Sequence, residues 1–236
     1  MRLEHFEGFG DAQSREDLHR KMLEVTHWLD HELFALVVSE TDLDGNTRYV
    51  SMSNAPPGWV QTARDNALAL VDPVHTHLRT SYKPIIWNQA TYTNVGSGAM
   101  WENMAPYGYK NGIAVTYPLG PGRKLLIGID RGTSEPNATE TVTTISSLQL
   151  LAAYAQGSPA IESMSARQVS LAPQQQKVMS LVAAGKSNTV IADILGISKD
   201  TVAHHVKAVF TKLRVSTRQQ AVLEIARLNL IPQEMV

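Results

Sequence analysis

The chain contains no cysteine, so disulfide bonds and thiolate zinc sites are excluded, and a reducing compartment is the simplest environment for it. No apolar run approaches the roughly 18–20 residues that a membrane-spanning helix requires. The first residues, MRLEHFEGFGD, are acidic, whereas a secretory leader is basic and then apolar. We therefore expect a cytoplasmic protein with no membrane partner.

A large net charge is also missing, since the formal net charge of the 236 residues is −1. The charges are unevenly distributed, however. Residues 1–164 carry 12 Lys and Arg against 18 Asp and Glu, whereas residues 165–236 carry 9 against 4. A small basic unit joined to a larger acidic one is typical of a polyanion-binding module attached to a domain with another task.

The first part of the chain, residues 1–160, has the pattern of an α+β sandwich: an N-terminal α/β/α domain with a mostly antiparallel sheet. Apolar residues recur at helical spacing over 14–32 and 138–156. The runs GIAVTYPLG and KLLIGIDR flank a Gly-Pro-Gly turn, as in a β-hairpin. Further strand-like runs occupy 33–40, 48–54 and 83–88. Such domains often enclose a small-molecule cavity.

The last part of the chain predicts only helices. We place a weakly periodic linker at 161–170 and a second domain at 171–236. In that domain, helix start signals fall at Pro173, Ser187, Ser198 and Ser216, and stop signals at Gly185 and Gly196. Four short helices joined by tight turns are typical of a helix-turn-helix domain.

The third of these helices, SKDTVAHHVKAVFTKL at 198–213, has two dissimilar faces. Its apolar stripe consists of Val202, Val206, Val209 and Leu213 and is expected to pack on Val178, Val190, Ile191 and Ile194. The opposite face is polar and carries Lys199, Asp200, Ala203, His204 and Lys207. Cations separated by short side chains suit a helix that lies in the major groove of DNA.

A metal site at the adjacent histidines of this helix is not expected. Neighbouring helical residues point about 100° apart, so His204 and His205 diverge. Neither is followed four residues later by an acid or a histidine, since Ala208 and Val209 stand there. We predict base contacts from Lys199, Asp200, His204 and Lys207, and phosphate contacts from Lys186, Ser187, Thr201, Lys212 and Arg218.

From Gly185 onward, the text GKSNTVIADILGISKDTVAHHVKAVFTKLRVSTRQQAV resembles the DNA-binding domain of LuxR-type transcription regulators. The first half resembles the autoinducer-binding domain of acyl-homoserine-lactone receptors. The matching residues there are Trp59, Val71-Asp72-Pro73, Pro84-Ile85-Ile86-Trp87, Trp101 and Gly112. The resemblance therefore spans most of the chain and implies a quorum-sensing regulator with no metal or organic cofactor.

The resemblance also implies roles for individual residues in binding an N-acyl-homoserine lactone. The Trp59 indole N–H would donate to the lactone carbonyl, and the Asp72 carboxylate would accept the ligand's amide N–H, a charge-assisted bond. Trp87 and Trp101 would pack around the head group. The alternative role for Asp72 is that of a helix cap only, since Pro73 and the residues after it have a helical pattern.

This sequence departs from the family pattern at two places. Ala55 and Ala63 stand where the family commonly has tyrosines, which enlarges the cavity and removes a polar anchor. The residues that could replace that anchor are Tyr92, Tyr107, Tyr109 and Thr116. We therefore expect an unusual acyl tail or a ligand other than a lactone. In addition, Gln174 and Gln175 replace a charged Arg-Glu pair and remove an internal ion pair.

The resulting hypothesis is a ligand-responsive homodimer that binds a palindromic operator in double-stranded DNA, with RNA polymerase as a further candidate partner. A ligand-independent or non-lactone-sensing regulator of the same type is the alternative. Two other classes of protein are weaker alternatives. One is a metal-dependent hydrolase that uses Asp72, His75 and His77, and the other is a response regulator, for which the alternating βα units of a phosphoacceptor domain are missing.

Overall fold

The computed structural model describes residues 3–63, 72–164, 169–228 and 230–231, without the side chains of residues 61–63. The chain forms two compact units, which are treated separately. One unit contains most of the β-sheet, and the other contains the C-terminal helices together with residues 41–47 and 120–123.

The sheet of the first unit has five strands in the order β2-β1-β5-β4-β3. The strands are β1 (Leu33–Thr41), β2 (Thr47–Ser53), β3 (Ile85–Trp87), β4 (Asn111–Gly120) and β5 (Arg123–Arg131). Strand β3 pairs antiparallel with β4, with Ile85 opposite Ala114 and Trp87 opposite Gly112. Residues 121 and 122 join β4 to β5, as the hairpin pattern predicts.

The helices of this unit follow the predicted pattern and add short helices that the pattern did not reveal. They are α1 (Leu3–Gly10), α2 (Arg15–Trp28), α3 (Pro57–Ala63), α4 (Pro73–Thr80), α5 (Gln89–Thr93), α6 (Gly98–Met104), α7 (Ala138–Ala155) and α8 (Pro159–Ser163), with a 3₁₀ turn at Ala105–Tyr107. The Ser14 hydroxyl caps α2 by accepting from the Asp17 N–H at 3.2 Å. The predicted α+β class is confirmed.

Strand alternation divides the unit into two apolar cores. Phe34, Leu36 and Val38 of β1 lie in a core with α1, α2, α7 and α8, and so do Leu125, Ile127 and Ile129 of β5. The intervening residues, such as Ala114 and Leu126, face a second cluster with α4, α5 and α6. Because side chains of a strand alternate between its faces, one sheet supports both a filled core and a separate apolar cluster.

Helix α8 differs from the predicted organisation. Ile161 and Met164 lie in the segment 161–170 that the sequence indicates as a linker, yet both are fully buried in the core of the first unit. The Ser158 hydroxyl caps this helix by accepting from the Ile161 N–H at 3.2 Å. The apolar spacing of Ala160, Ile161 and Met164 is too short to indicate a helix in sequence, and only packing reveals it.

The second unit contains four helices: α9 (Pro173–Ala183), α10 (Asn188–Leu195), α11 (Lys199–Leu213) and α12 (Arg218–Arg227). The caps at Ser187 and Ser198 are as predicted, and Gly196 ends α10 in the left-handed conformation with φ 64°. The predicted cap of the fourth helix was wrong by one residue. Thr217, not Ser216, accepts from the Gln220 N–H, and the Gln220 side chain accepts from the Thr217 N–H.

The core of the second unit contains the predicted stripe of α11, in which Val202, Val206, Val209 and Leu213 are all buried. Two of its expected neighbours are exposed instead, Val190 at 41% and Ile194 at 54%. Helix α10 buries Ile191 and Ala192, so its inward face lies one residue further along than the pattern indicated. Residues 190 and 194 share the opposite side because they are one turn apart.

Gln175 connects the start of α9 to the end of α11. Its side-chain oxygen accepts from the Ala172 N–H at 3.1 Å and from the Lys212 ammonium at 2.9 Å. Lys212 also donates to the Ser170 carbonyl at 3.1 Å. An amide therefore takes over the contact that an ion pair was expected to provide, and Gln175 is 8% exposed.

We expect Gln175→Ala to destabilise the second unit by about 1–3 kcal/mol, because it removes the side-chain oxygen that accepts from both the Ala172 N–H and the Lys212 ammonium. Hydrogen exchange of the α11 amides in the full chain measures this change. The matched control is Gln174→Ala at a half-buried position, expected within about 0.5 kcal/mol of wild type. Equal effects of the two substitutions would contradict the role of Gln175.

Candidate ligand cavity and DNA-contacting helix

A cavity of about 200 Å³ lies against the second face of the sheet. The strands contribute Ala35 and Val37 from β1, Ala114 from β4 and Leu126 from β5 to its lining, and α4 contributes Val74 and Leu78. Most of the lining is apolar, and only a few polar side chains interrupt it. Such a site favours an amphiphile whose tail is apolar and whose head group meets fixed polar partners.

Asp72 lies at the junction of this cavity and α4. Its Oδ1 accepts from the Val74 N–H at 2.8 Å and from the His75 N–H at 3.3 Å, which caps the helix. The Tyr92 hydroxyl donates to the same oxygen at 3.2 Å. Asp72 also lines the cavity, so the residue combines both roles weighed from the sequence.

Burial raises the pKa of the Asp72 carboxyl, and the two backbone N–H groups and the Tyr92 hydroxyl only partly offset this rise. Burial and the neighbouring Asp72 carboxylate raise the pKa of Tyr92 as well, so its hydroxyl remains a donor. The cavity therefore contains a carboxyl group held by several donors, and the nearby His75 also acts to lower its pKa.

Two of the predicted tryptophans also line the cavity. Trp87 is 5% exposed and meets Tyr92 edge to face, with ring centroids 5.7 Å apart. Trp59 lies between two tyrosines, with centroid distances of 5.9 Å to Tyr107 and 5.5 Å to Tyr109. Trp59, Asp72 and Trp87 are distant in sequence and converge on one cavity.

The other predicted ligand residues lie elsewhere. The Trp101 indole N–H donates to the Lys110 carbonyl at 3.2 Å, and the ring packs against the apolar cluster without lining the cavity that the described residues form. Ala55 likewise packs against that cluster. The Thr116 hydroxyl donates to the Leu78 carbonyl at 3.2 Å and so anchors α4. The side chain of Ala63 lies outside the described residues.

Sequence reasoning missed a second acid in the cavity, Asp130 of β5. Leu126, Gly128 and Asp130 alternate along the strand and all line the cavity, whereas Ile127 and Ile129 lie in the other core. The period-two pattern of KLLIGIDR was a usable signal, because it places the acid on the same face as Leu126. Tyr92 and Tyr109, two of the residues offered by the sequence as replacements for the missing anchor, line the cavity, whereas Tyr107 packs against the apolar cluster.

Asp130 differs from Asp72 in its surroundings. It is 6% exposed, and burial together with the Asp72 charge raises its pKa well above the ordinary range. None of the hydrogen bonds formed by the described residues involves its carboxylate oxygens. Because like charges in a poorly solvated site disfavour joint ionisation, Asp72 holds the negative charge more readily than Asp130.

The hydrolase alternative finds no support in the arrangement of its histidines. His75 lines the cavity, whereas the His77 ring lies on the other side of α4 and meets the Lys83 carbonyl at 2.8 Å. Across the described ranges, no three His, Asp or Glu side chains come together in a metal-binding arrangement.

In the second unit, the polar face of α11 is open to solvent. Lys199, Asp200, Ala203, His204 and Lys207 are all exposed. The Ser198 hydroxyl accepts from the Thr201 N–H at 3.0 Å and fixes the start of the helix after the turn at Gly196. A capped helix with exposed cations after a short turn has the geometry of a recognition helix.

Several predicted phosphate contacts also support the fold of this unit. Arg218 donates to the Asn188 side chain at 3.0 Å and to the Lys186 carbonyl, which ties α12 to the start of α10. Lys212 bonds to Ser170 and Gln175, and the Ser187 hydroxyl caps α10. Lys186 and Thr201 remain exposed. The cations of this unit are thus divided between internal contacts and the open face.

A cavity-bearing α+β domain together with a helix-turn-helix domain defines a transcription regulator that binds a small molecule. Family models match both parts, the autoinducer binding domain at residues 14–158 and the bacterial regulatory proteins of the luxR family at residues 169–225. The chain belongs to the LuxR family of autoinducer-binding transcription regulators. It is therefore a regulator and not an enzyme.

Known proteins resemble the chain over nearly its whole length. It is 24% identical to the transcriptional activator protein PhzR of Pseudomonas fluorescens over 223 residues, which are 91% of this chain and 88% of PhzR. The crystal structure of Escherichia coli SdiA has a TM-score of 0.73 at 18% identity and covers 95% of both chains. The structure of SdiA in complex with octanoyl-rac-glycerol has a TM-score of 0.71 at 16% identity, covering 98% of this chain and 95% of SdiA.

Across the described ranges, every helix is too short or too polar to cross a membrane.

We expect Asp130→Asn to stabilise the ligand-free protein at neutral pH by about 1–3 kcal/mol, because it removes a buried acid that forms no hydrogen bond with the described residues. The pKa of Asp130 is raised in the folded state, so folding favours the protonated form. Stability should therefore be greatest below the unfolded value of about 4 and fall as pH rises towards the folded value.

The measurement is the melting temperature of wild type and Asp130→Asn across pH values from about 5 to 8. The difference between the two should grow with pH. The exposed Asp44 provides the matched control, and Asp44→Asn should leave the profile unchanged. A variant that is less stable than wild type at every pH would show that Asp130 has a stabilising partner.

Proposed function

We propose that the protein is a quorum-sensing regulator whose cavity binds an acyl-homoserine-lactone-like signal. The observation that carries this proposal is the convergence of Trp59, Asp72 and Trp87 on one apolar cavity. Asp72 supplies an acceptor for an amide N–H, and the indole of Trp59 supplies a donor. Without a ligand, a partly buried carboxylate faces an apolar space, which is unfavourable.

The tail and head group of the ligand are expected to depart from the common pattern. No tyrosine stands at Ala55, which leaves one polar anchor fewer beside Trp59. A structural relative, SdiA, has been solved with octanoyl-rac-glycerol, which is an acylated polyol and not a lactone. That complex favours a non-lactone amphiphile as the alternative ligand. A ligand-independent regulator is a further alternative.

We propose that two chains act together on a palindromic operator. Helix α7 exposes Val142 at 65% and Leu150 at 42%, and α12 exposes Leu223 at 58%. Exposed apolar side chains on helices near the end of each unit are suitable for pairing two copies. Two recognition helices then enter successive major grooves, about one helical turn apart. RNA polymerase is a candidate partner on such a promoter.

The proposed organisation of the chain follows the two units. The sensory domain covers residues 1–160 and extends through the packed helix α8 to Met164. A linker then leads to the DNA-binding domain at 171–236. Because the protein acts on chromosomal DNA in this proposal, it is expected in the cytoplasm.

Ligand binding should stabilise the fold. A lactone present at about 100 times its Kd should raise the free energy of unfolding by about 2.7 kcal/mol, since only the folded chain binds it. Thermal melts of the full chain against lactones with straight, branched and aryl tails measure this gain. Asp72→Asn should remove most of it, while Asn still caps α4.

Asp44→Asn is again the matched control, since Asp44 is an exposed loop residue and its variant should keep the full gain. An unchanged melting temperature with every lactone would contradict lactone sensing. If acylated polyols then raise the melting temperature, the non-lactone alternative holds. If neither class does so, the ligand-independent alternative holds.

Substitutions of base-contacting and phosphate-contacting lysines should affect DNA binding in different ways. Lys207→Ala should weaken binding to a DNA sequence selected from a random library by about 1–3 kcal/mol. It should also reduce the preference for one base at the position that Lys207 contacts. Lys186→Ala should weaken selected and random sequences alike and reduce the salt slope by about 1. Fluorescence anisotropy at several salt concentrations measures both quantities.

Lys110→Ala is the control for these variants, because Lys110 is an exposed cation of the first unit. Its salt slope should equal that of wild type. If Lys207→Ala leaves affinity and specificity for the selected sequence unchanged, α11 does not read bases through that residue.

A further inference from the structure

The side chain of Asp130 lines the cavity, whereas the hydrogen bond that Asp130 makes within the described fold comes from its backbone. The residue lies on β5 with its side chain towards the cavity. Its neighbours in sequence, Ile129 and Arg131, are buried on the opposite face of the strand. Its backbone carbonyl accepts from the Glu32 N–H at 3.1 Å, so the main chain is engaged in the fold. The side chain makes no such contribution.

The corner around Asp130 is kept open by a glycine. A Cβ atom built on Gly112 would overlap both the Asp130 carboxylate and the Trp87 indole nitrogen. Gly112 lies opposite Trp87 in the sheet register, so all three residues meet at one end of the cavity. The absence of a side chain at residue 112 therefore brings a carboxyl group and an indole N–H to the same point of the lining.

The carboxyl group at this corner forms no hydrogen bond with the residues that the structure describes. By contrast, the Asp72 carboxylate, which lines the same cavity, accepts three hydrogen bonds. Tyr92 gives its hydroxyl to Asp72 and not to Asp130. Burying a polar group without a partner is unfavourable, so a ligand that supplies the partner binds more tightly.

A hydroxyl group is the ligand group that best fits this carboxyl. It donates to the carboxyl if Asp130 is ionised, and it both donates and accepts if Asp130 is protonated. A homoserine lactone head group has one N–H donor, and the Asp72 carboxylate is already suited to it. A second donor in the head group, such as a hydroxyl, would form a hydrogen bond with the Asp130 carboxyl.

We propose that Asp130 is a specificity-determining residue which selects an acyl amphiphile with a hydroxylated head group. In this arrangement Asp72 holds one donor of the head group, and Asp130 holds a second. The acyl tail lies among the apolar side chains of β1, β5 and α4. This proposal rests on the proposed sensory function of the same cavity, and it specifies the chemical class of its ligand.

The test compares two probes with the same octanoyl tail. 1-Octanoyl-glycerol carries two hydroxyl groups, and N-octanoyl-homoserine lactone carries one amide N–H and no hydroxyl. Quenching of tryptophan fluorescence in the purified full chain measures the Kd of each probe. Wild type should bind the glycerol ester more tightly than the lactone.

Asp130→Leu removes both oxygens at similar volume. It should weaken the glycerol ester about 10-fold or more, as expected for loss of a hydrogen bond to a buried acid, and change lactone binding less than about 3-fold. Asp130→Asn keeps one donor and one acceptor and should restore part of the affinity. Both variants should melt at or above the wild-type temperature, so a loss of binding is distinguishable from unfolding.

The remaining outcomes distinguish failure of the Asp130 proposal from failure of the proposed sensory function. If Asp130→Leu weakens both probes equally, or weakens neither, Asp130 does not select the head group, while the sensory function stands. If wild type binds the lactone but not the glycerol ester, the proposal is overturned and lactone sensing is supported. If wild type binds neither probe and no acyl compound is extracted from it, the sensory function itself fails.

Discussion

The Asp72 carboxylate is the interaction on which the sensory unit depends. One oxygen accepts two backbone N–H groups at the start of α4 and the hydroxyl of Tyr92 on α5. The same side chain forms part of the cavity lining. A helix, its neighbour and the ligand site therefore share one negative charge. Any group that enters the cavity and pairs with that charge acts directly on the elements that the carboxylate holds in place.

Strand alternation then decides what else meets the ligand. Odd residues of β5 from 125 to 129 fill the core beneath α1, α2 and α7, so the even ones must face the cavity. In a purely structural domain the even positions would be apolar, as Leu126 is. Asp130 breaks that rule at a place where the glycine at 112 leaves room. Two acids in one small cavity are unfavourable for the empty fold, which is the pattern expected where binding takes precedence over stability.

The DNA-binding unit divides its cations between two tasks. Arg218 and Lys212 lie at the ends of helices, and their charges satisfy carbonyl and amide oxygens that would otherwise lack donors. In the region that the structure describes, the side chains of Lys199, Lys207 and Lys186 form no such internal hydrogen bonds, and they remain exposed. The first group sets the orientation of the helices, and the second is available to DNA. Gln175 keeps the contact with Lys212 without a formal charge.

The sequence by itself determined the helices and strands with strong periodicity, the caps at Ser14, Ser187 and Ser198, and the family, because these depend on local patterns. It also predicted Trp59, Asp72 and Trp87 as ligand residues, and the structure brings these three to the lining of one cavity. Only the tertiary structure placed Trp101 and Thr116 outside the cavity lining, packed α8 into the core and turned Val190 and Ile194 to solvent. It also brought Asp130 beside Asp72 in one cavity. These features depend on which face of each element meets its neighbours, and residues far apart in sequence decide that jointly.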